Sequence, residues 1–143
     1  MASFTKVNDF VVNLANTMDL DANTLIVALS NTDPTSGTNV VSDGNGILAN
    51  ISPISYTNLS SRTLQNVTST QSSGTYKLSA DDLTLTASGG SVAAFRYIVI
   101  YNDSVTSPAD PVIVYYDYGT SLTLNDGDTF TIDIGTNGIL TLT

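Results

Sequence analysis

The chain contains no glutamate, histidine, cysteine or tryptophan. Without cysteine there is neither a disulfide framework nor a thiolate metal site, which excludes the small disulfide-stapled scaffolds. Without histidine, a nucleophilic serine or threonine would need Lys6, Lys77 or an aspartate of unusual pKa as its base. No strained elbow places a serine beside either lysine, so no catalytic residue is assigned and an enzyme is not expected. Positive charge is scarce too: 4 basic residues against 13 acidic ones, all aspartate, give a net charge of −9. Such a balance repels phosphate backbones and offers no basic stripe, so nucleic acid is not an expected partner. No apolar run approaches the roughly 20 residues that span a bilayer. The opening MASFTKVNDF also lacks the uninterrupted apolar core of a signal peptide. The expectation is a soluble chain, unprocessed at its N-terminus, with no membrane partner.

What is abundant is hydroxyl and amide. Serine, threonine and asparagine make 51 of 143 residues while charged residues are only 12%, a mix that suits the wet faces of β-strands. Few long charged side chains also means little rotamer entropy to lose when a surface is covered by a partner. The length fits one domain, residues 1–143, able to bury a core without a staple.

Hydropathy patterning predicts an all-β fold with one short helix. Phe4, Val7, Phe10, Val11, Leu14 and Met18 recur at spacings of three and four, a helical stripe over about residues 4–18, with Ser3 or Thr5 as candidate caps. Strands begin at Leu25 with the continuous apolar run Leu25 to Leu29. Ser30 to Gly46 holds almost every turn former and reads as a long exposed loop. Two strands with loose limits are expected between Ile47 and Val67, followed by a polar turn at Ser69 to Gly74. Strict alternation at Tyr76 to Leu78 and Leu83 to Ala87 marks half-buried strands. The last third carries the strongest signal: FRYIVIYND (Phe95 to Asp103), apolar on both faces and therefore central, then PVIVYYDYG (Pro111 to Gly119) and TFTIDIGTNGILTLT (Thr129 to Thr143). An Asp-Gly step within Asn125 to Asp128 predicts a hairpin joining Leu122–Leu124 to Phe130–Ile134. Eight or nine short strands with the helix at one end suggest a β-sandwich of jelly-roll or related topology.

Motifs that could carry chemistry dissolve on inspection. Asp19, Asp21 and Asn23 have the spacing that opens a calcium loop, but Thr24 stands where a glycine is needed and Ser30 where a bidentate glutamate is needed. Asp43, Asp126 and Asp128 stand where turns use aspartate to bond their own backbone. Asp81 and Asp82 are adjacent, so they would point to opposite faces of a strand and read as a solvated corner. Neither a metal nor a cofactor is expected. The four Asn-x-Ser/Thr triplets, at Asn50, Asn58, Asn66 and Asn102, are what this composition produces by chance. Tyrosines remain: Tyr97, Tyr101, Tyr115, Tyr116 and Tyr118 lie on two consecutive strands and could form an aromatic ladder; Tyr97 and Tyr101 suit cross-strand core packing, whereas Tyr115 and Tyr116 must face opposite ways, which turns at least one outward.

The tail from Phe95 to Thr143, with the opening FTKVNDFVVNLA and the segment LIVALSNTDP, resembles small structural proteins encoded by tailed bacteriophages. The resemblance spans most of the chain and implies a virion protein. It would be a capsid decoration or cement protein made in the bacterial host cytoplasm, placed on the capsid surface and bound to the major capsid protein. Self-association is also expected, with a trimer as the candidate state. Candidate interface residues lie in the long loop (Asp33, Pro34, Val40, Val41), in the turn from Ser104 to Asp110 (Ser107, Pro108) and at Tyr116. The alternative is a tail or fibre module that recognises a host-surface glycan through outward tyrosines and the Ser30 to Gly46 loop.

Overall fold

The computed structural model describes residues 3–37 and 39–143. The fold is all-β and sandwich-like. In chain order come β1 (Thr5–Lys6), α1 (Asn8–Asn16), β2 (Leu25–Ser30), β3 (Thr68–Ser72), β4 (Thr75–Ser79) and β5 (Leu83–Thr86). They are followed by β6 (Phe95–Asn102), β7 (Val112–Leu122), β8 (Thr129–Ile132) and β9 (Leu140–Leu142). The main sheet has the order β1-β7-β6-β2, a second has β3-β4-β9 and a third β5-β8, every pairing antiparallel.

β6 is central, as its two apolar faces require: Val99 and Ile100 are both fully buried. Because paired residues share a face, the register sets out two kinds of row across the main sheet. One face carries Val27, Ile100 and Val114, then Leu29, Ile98 and Tyr116; the other carries Ala28, Val99 and Tyr115, then Ser30, Tyr97 and Asp117. Leu78, Leu85, Ile132 and Ile134 of the smaller sheets and their connections join these residues in one core cluster.

Four expectations change. The helix is shorter than the stripe, because β7 captures residues 5 and 6 as an edge strand: Val7 N–H donates to the Ile113 carbonyl at 3.0 Å. Val7, the N-cap position, makes no side-chain cap, so neither Ser3 nor Thr5 serves, and Val11 is 52% exposed instead of facing the core. Of the polar turn expected at Ser69 to Gly74, residues 69 to 72 belong to strand β3 and only Ser73 and Gly74 turn. Its hairpin closes through Ser73 and Gly74, both at positive φ (51° and 80°), the two-residue loop geometry that suits the twist of paired strands. The Asp-Gly turn forms (Asp128 N–H to the Asn125 carbonyl, 2.9 Å), but β8 pairs with β5 instead of returning along Leu122–Leu124. The cause is non-local: Gly127 N–H donates to the Ala87 carbonyl and Ala87 N–H to the Asp128 carbonyl, docking the turn onto the end of β5.

The fourth change concerns residues 47 to 67, which form no named strand. Instead the chain crosses the free edge of β2 in isolated bridges, Ser30 to Pro53 and Ile26 to Thr63, broken by the turn at Tyr56 to Leu59. Arg62 donates to the Val27 carbonyl and lies over the Tyr56 ring at 3.6 Å. A broken cover with a proline in it protects an edge without extending the sheet.

The Ser30 to Gly46 loop is not a free arm. Val40 is fully buried and Pro34 is buried, the Asn8 amide donates to the Val41 carbonyl at 3.0 Å, and the Asp9 carboxylate accepts from Gly44 N–H at 3.0 Å and Gly46 N–H at 2.8 Å. A Cβ on Gly46 would lie 2.8 Å from the Asp9 Cβ, so the loop passes too close to α1 for a side chain. Asp9→Ala deletes both charge-assisted bonds. It should cost about 2 kcal/mol in urea unfolding, with faster amide exchange at Gly44 and Gly46; unchanged exchange there would contradict the anchoring.

Candidate functional site

An open groove of about 220 Å³ runs between β7 and β8 where the main sheet meets the smaller one, lined by Phe4, Ile98, Tyr116, Tyr118, Phe130, Thr131, Ile132 and Asp133. Its origin is in the register. Ile98 pairs with Tyr116, and continuing the β1–β7 pairing by one residue sets Phe4 opposite Tyr116, where the two rings meet edge to face at 6.0 Å. Tyr118 lies two residues beyond Tyr116 on β7. From the other wall Phe130 packs edge to face on Tyr118 at 5.4 Å and on the fully buried Phe95 at 5.4 Å. Four rings therefore converge, held from beneath by the core, while Tyr118 stays 42% exposed.

The polar members sit on β8 and its continuation. The Thr131 hydroxyl is engaged across the strand pair with that of Thr84 at 3.0 Å. Asp133 is exposed at the groove, and the ion pair found among the described residues joins Arg96 to Asp117, not to Asp133. The remaining basic side chains are accounted for elsewhere. Arg62 is on Tyr56, the Lys77 ammonium reaches the Thr136 carbonyl, and Lys6 lines a neighbouring hollow that includes Phe4 but not Asp133.

Of the residues singled out from sequence, Tyr116 is in this groove. It also borders a polar hollow of about 370 Å³ with Asp33, Tyr97, Tyr115 and Asp117, so Asp33 is brought to it. Asp33 is half-buried and spends its carboxylate on the Thr35 N–H and hydroxyl at 2.8 and 2.7 Å. Val40 and Pro34 are corrected: both are buried and present no surface. Val41 is half-buried against the core. Ser107 and Pro108 are exposed, joined by a cis peptide bond, on the turn beyond β6. Tyr118, weighed with the other tyrosines, is in the aromatic groove too, whereas Phe4, Phe130 and Asp133 were not singled out as surface residues. The available signal was period two, since Tyr116 and Tyr118 share a parity on one strand; the wall opposite comes from residues that only the fold brings near.

The calcium-like spacing is used up locally. Asp19 accepts from the N–H groups of Asp21 and Ala22, and the Asn23 side-chain oxygen accepts from Asp19 N–H and from the Asn102 amide at 2.8 Å. Asp82 accepts from Ile134 N–H and Asp128 from Asn125 N–H, so these corners hold backbone. Among the described residues, no group of three or more acidic side chains is arranged to hold a metal ion, and no helix is long and apolar enough to cross a membrane.

Comparison with protein-family models, with curated proteins and with solved structures gives no match.

The Arg96–Asp117 pair closes the bulge between β6 and β7 with two bonds of 2.7 and 2.8 Å. Hydrogen bonds from Arg96, and then Gly119 N–H, hold the Asp117 carboxyl below the usual carboxylate range. A carboxyl depressed in the folded state stabilises above its unfolded pKa, and that contribution is lost as pH falls through the folded value. Both side chains are more than a third exposed, so solvent screens the pair and the loss should be small. Urea unfolding across the acid range, from neutral to below about pH 4, in the parent and in Arg96→Met, measures it; a slope unchanged by the substitution would refute the assignment. Burial, aided by the Asp103 charge, pushes the Asp110 carboxyl the opposite way.

Proposed function

We propose that this chain is a structural virion protein, a decoration or cement protein that binds the outer surface of a phage capsid shell and stabilises it without catalysis. The observation that carries the reading is the aromatic groove. It is an exposed, apolar, core-supported anchor site on a rigid sandwich, the kind of feature that dominates interface energetics. The resemblance to small tailed-phage structural proteins supplies the setting, with the major capsid protein as partner and trimers as the candidate assembly. Shell proteins act in many copies, so modest contacts multiply through avidity. The net charge of −9 suits a position outside the shell, away from packaged DNA. Capsids lacking the protein should lose resistance to heat and osmotic shock. If they proved as robust as complete ones, the stabilising role would fall.

A second reading has its own observation. Four rings in one groove with the exposed Asp133 in its lining could also hold a sugar, with its C–H face on the aromatics, and a tail or fibre module would use that on a host-surface glycan. Silence on a glycan array, with adsorption unchanged in a Tyr116→Ala virus, counts against it.

A further inference from the structure

We propose that the groove takes a cationic side chain, the guanidinium of an arginine or the ammonium of a lysine, presented by a partner protein. This deepens the reading above by giving the chemistry of the contact, and rests on it only for which protein presents the cation. The groove is lined by the rings of Phe4, Tyr116, Tyr118 and Phe130 and by the exposed Asp133 on its β8 side, and among the described residues no basic residue lines it. Rings attract cations through their quadrupole, and arginine also stacks on them. The surrounding charge acts in the same sense, because a chain at −9 draws a basic partner.

Shape agrees with charge. Ile98 and Ile132 are buried and line the groove, so a long side chain can lay its methylenes on an apolar floor beside the rings while its head stays in water at the exposed Asp133 edge. A carboxylate group entering instead would meet Asp133 with no compensating base. A neutral apolar group would use the floor but leave Asp133 unanswered.

Titration of the full chain with N-acetyl-arginine amide, followed by the ring resonances of Tyr116 and Tyr118, tests this directly. Saturable shifts of both rings are expected. N-acetyl-citrulline amide, of nearly the same shape and without the charge, should bind several-fold more weakly. Asp133→Asn, an exposed conservative change, should weaken the arginine probe several-fold and narrow the gap between the two probes; Tyr118→Ala should remove saturation while the amide spectrum stays folded. Equal binding of the neutral probe, no saturable shift at all, or shifts seen only with methyl glucoside would each overturn the proposal, the last in favour of a sugar. Because the probe is an isolated amino-acid derivative, its failure speaks against the cation site alone, whereas absence of the protein from particles would speak against the virion reading alone.

Discussion

Val40→Asp is expected to unfold the protein. Val40 is fully buried, its N–H donates to the Pro34 carbonyl at 3.1 Å, and it belongs to the same cluster as Phe10, Ile51 and Val99. An isolated carboxylate there would cost several kcal/mol even after relaxation, a large part of the roughly 5–15 kcal/mol that holds a domain together. Ser107→Asp, on an exposed turn, should move stability by no more than about 0.5 kcal/mol. Circular dichroism melts of the two variants read the contrast. A Val40→Asp protein that melts like its parent would mean that the loop is free after all, and would restore Val40 as a surface residue.

Phe95→Ala should show that the groove is an extension of the core. Removing a fully buried phenylalanine costs about 3–5 kcal/mol, and here Phe130 also loses the ring against which it stands edge to face. Phe130 in turn positions Tyr118, so the damage should reach the exposed wall. The expected result is a large drop in the urea midpoint, with altered near-ultraviolet dichroism of the tyrosines in the protein that remains folded. Tyr118→Ala, by contrast, should cost less than about 1 kcal/mol, since an exposed edge-to-face pair is worth little more. A Phe95→Ala chain that lost no more than this would show that the groove stands apart from the core.

How far the sequence speaks depends on whether the deciding contact is local. β6 and β7 were legible because a run such as Phe95 to Tyr101 has no stable place except between other strands, and β4 and β5 because strict alternation has one natural reading. The opening stripe misled because Phe4 and Val7 keep helical spacing while an edge of β7, more than a hundred residues on, claims Thr5 and Lys6 first. Ser69 to Ser72 looked like part of a turn running to Gly74 because its side chains are polar; its strand character comes from pairing with β4, which local pattern does not encode. The turn at Asn125 to Asp128 was legible and its partner was not, since Ala87 decides where it docks.

The candidate site divides in the same way. Tyr116 could be named because adjacent tyrosines on a strand must face apart. The buried Val40 could not be told from a surface residue, as it stands in a stretch of turn formers whose anchoring depends on Asn8 and Asp9. Phe130 and Asp133 carried no signal linking them to Phe4 across the length of the chain. What made the groove is the closing of one sheet over another.

The most direct test of the account is the copy number of this protein in purified phage particles, by quantitative gel densitometry against the main shell protein. A capsid decoration protein predicts a copy number comparable with that of the shell subunit. A handful of copies per particle would move it to the tail tip or fibres, and its absence from particles would contradict the virion reading altogether.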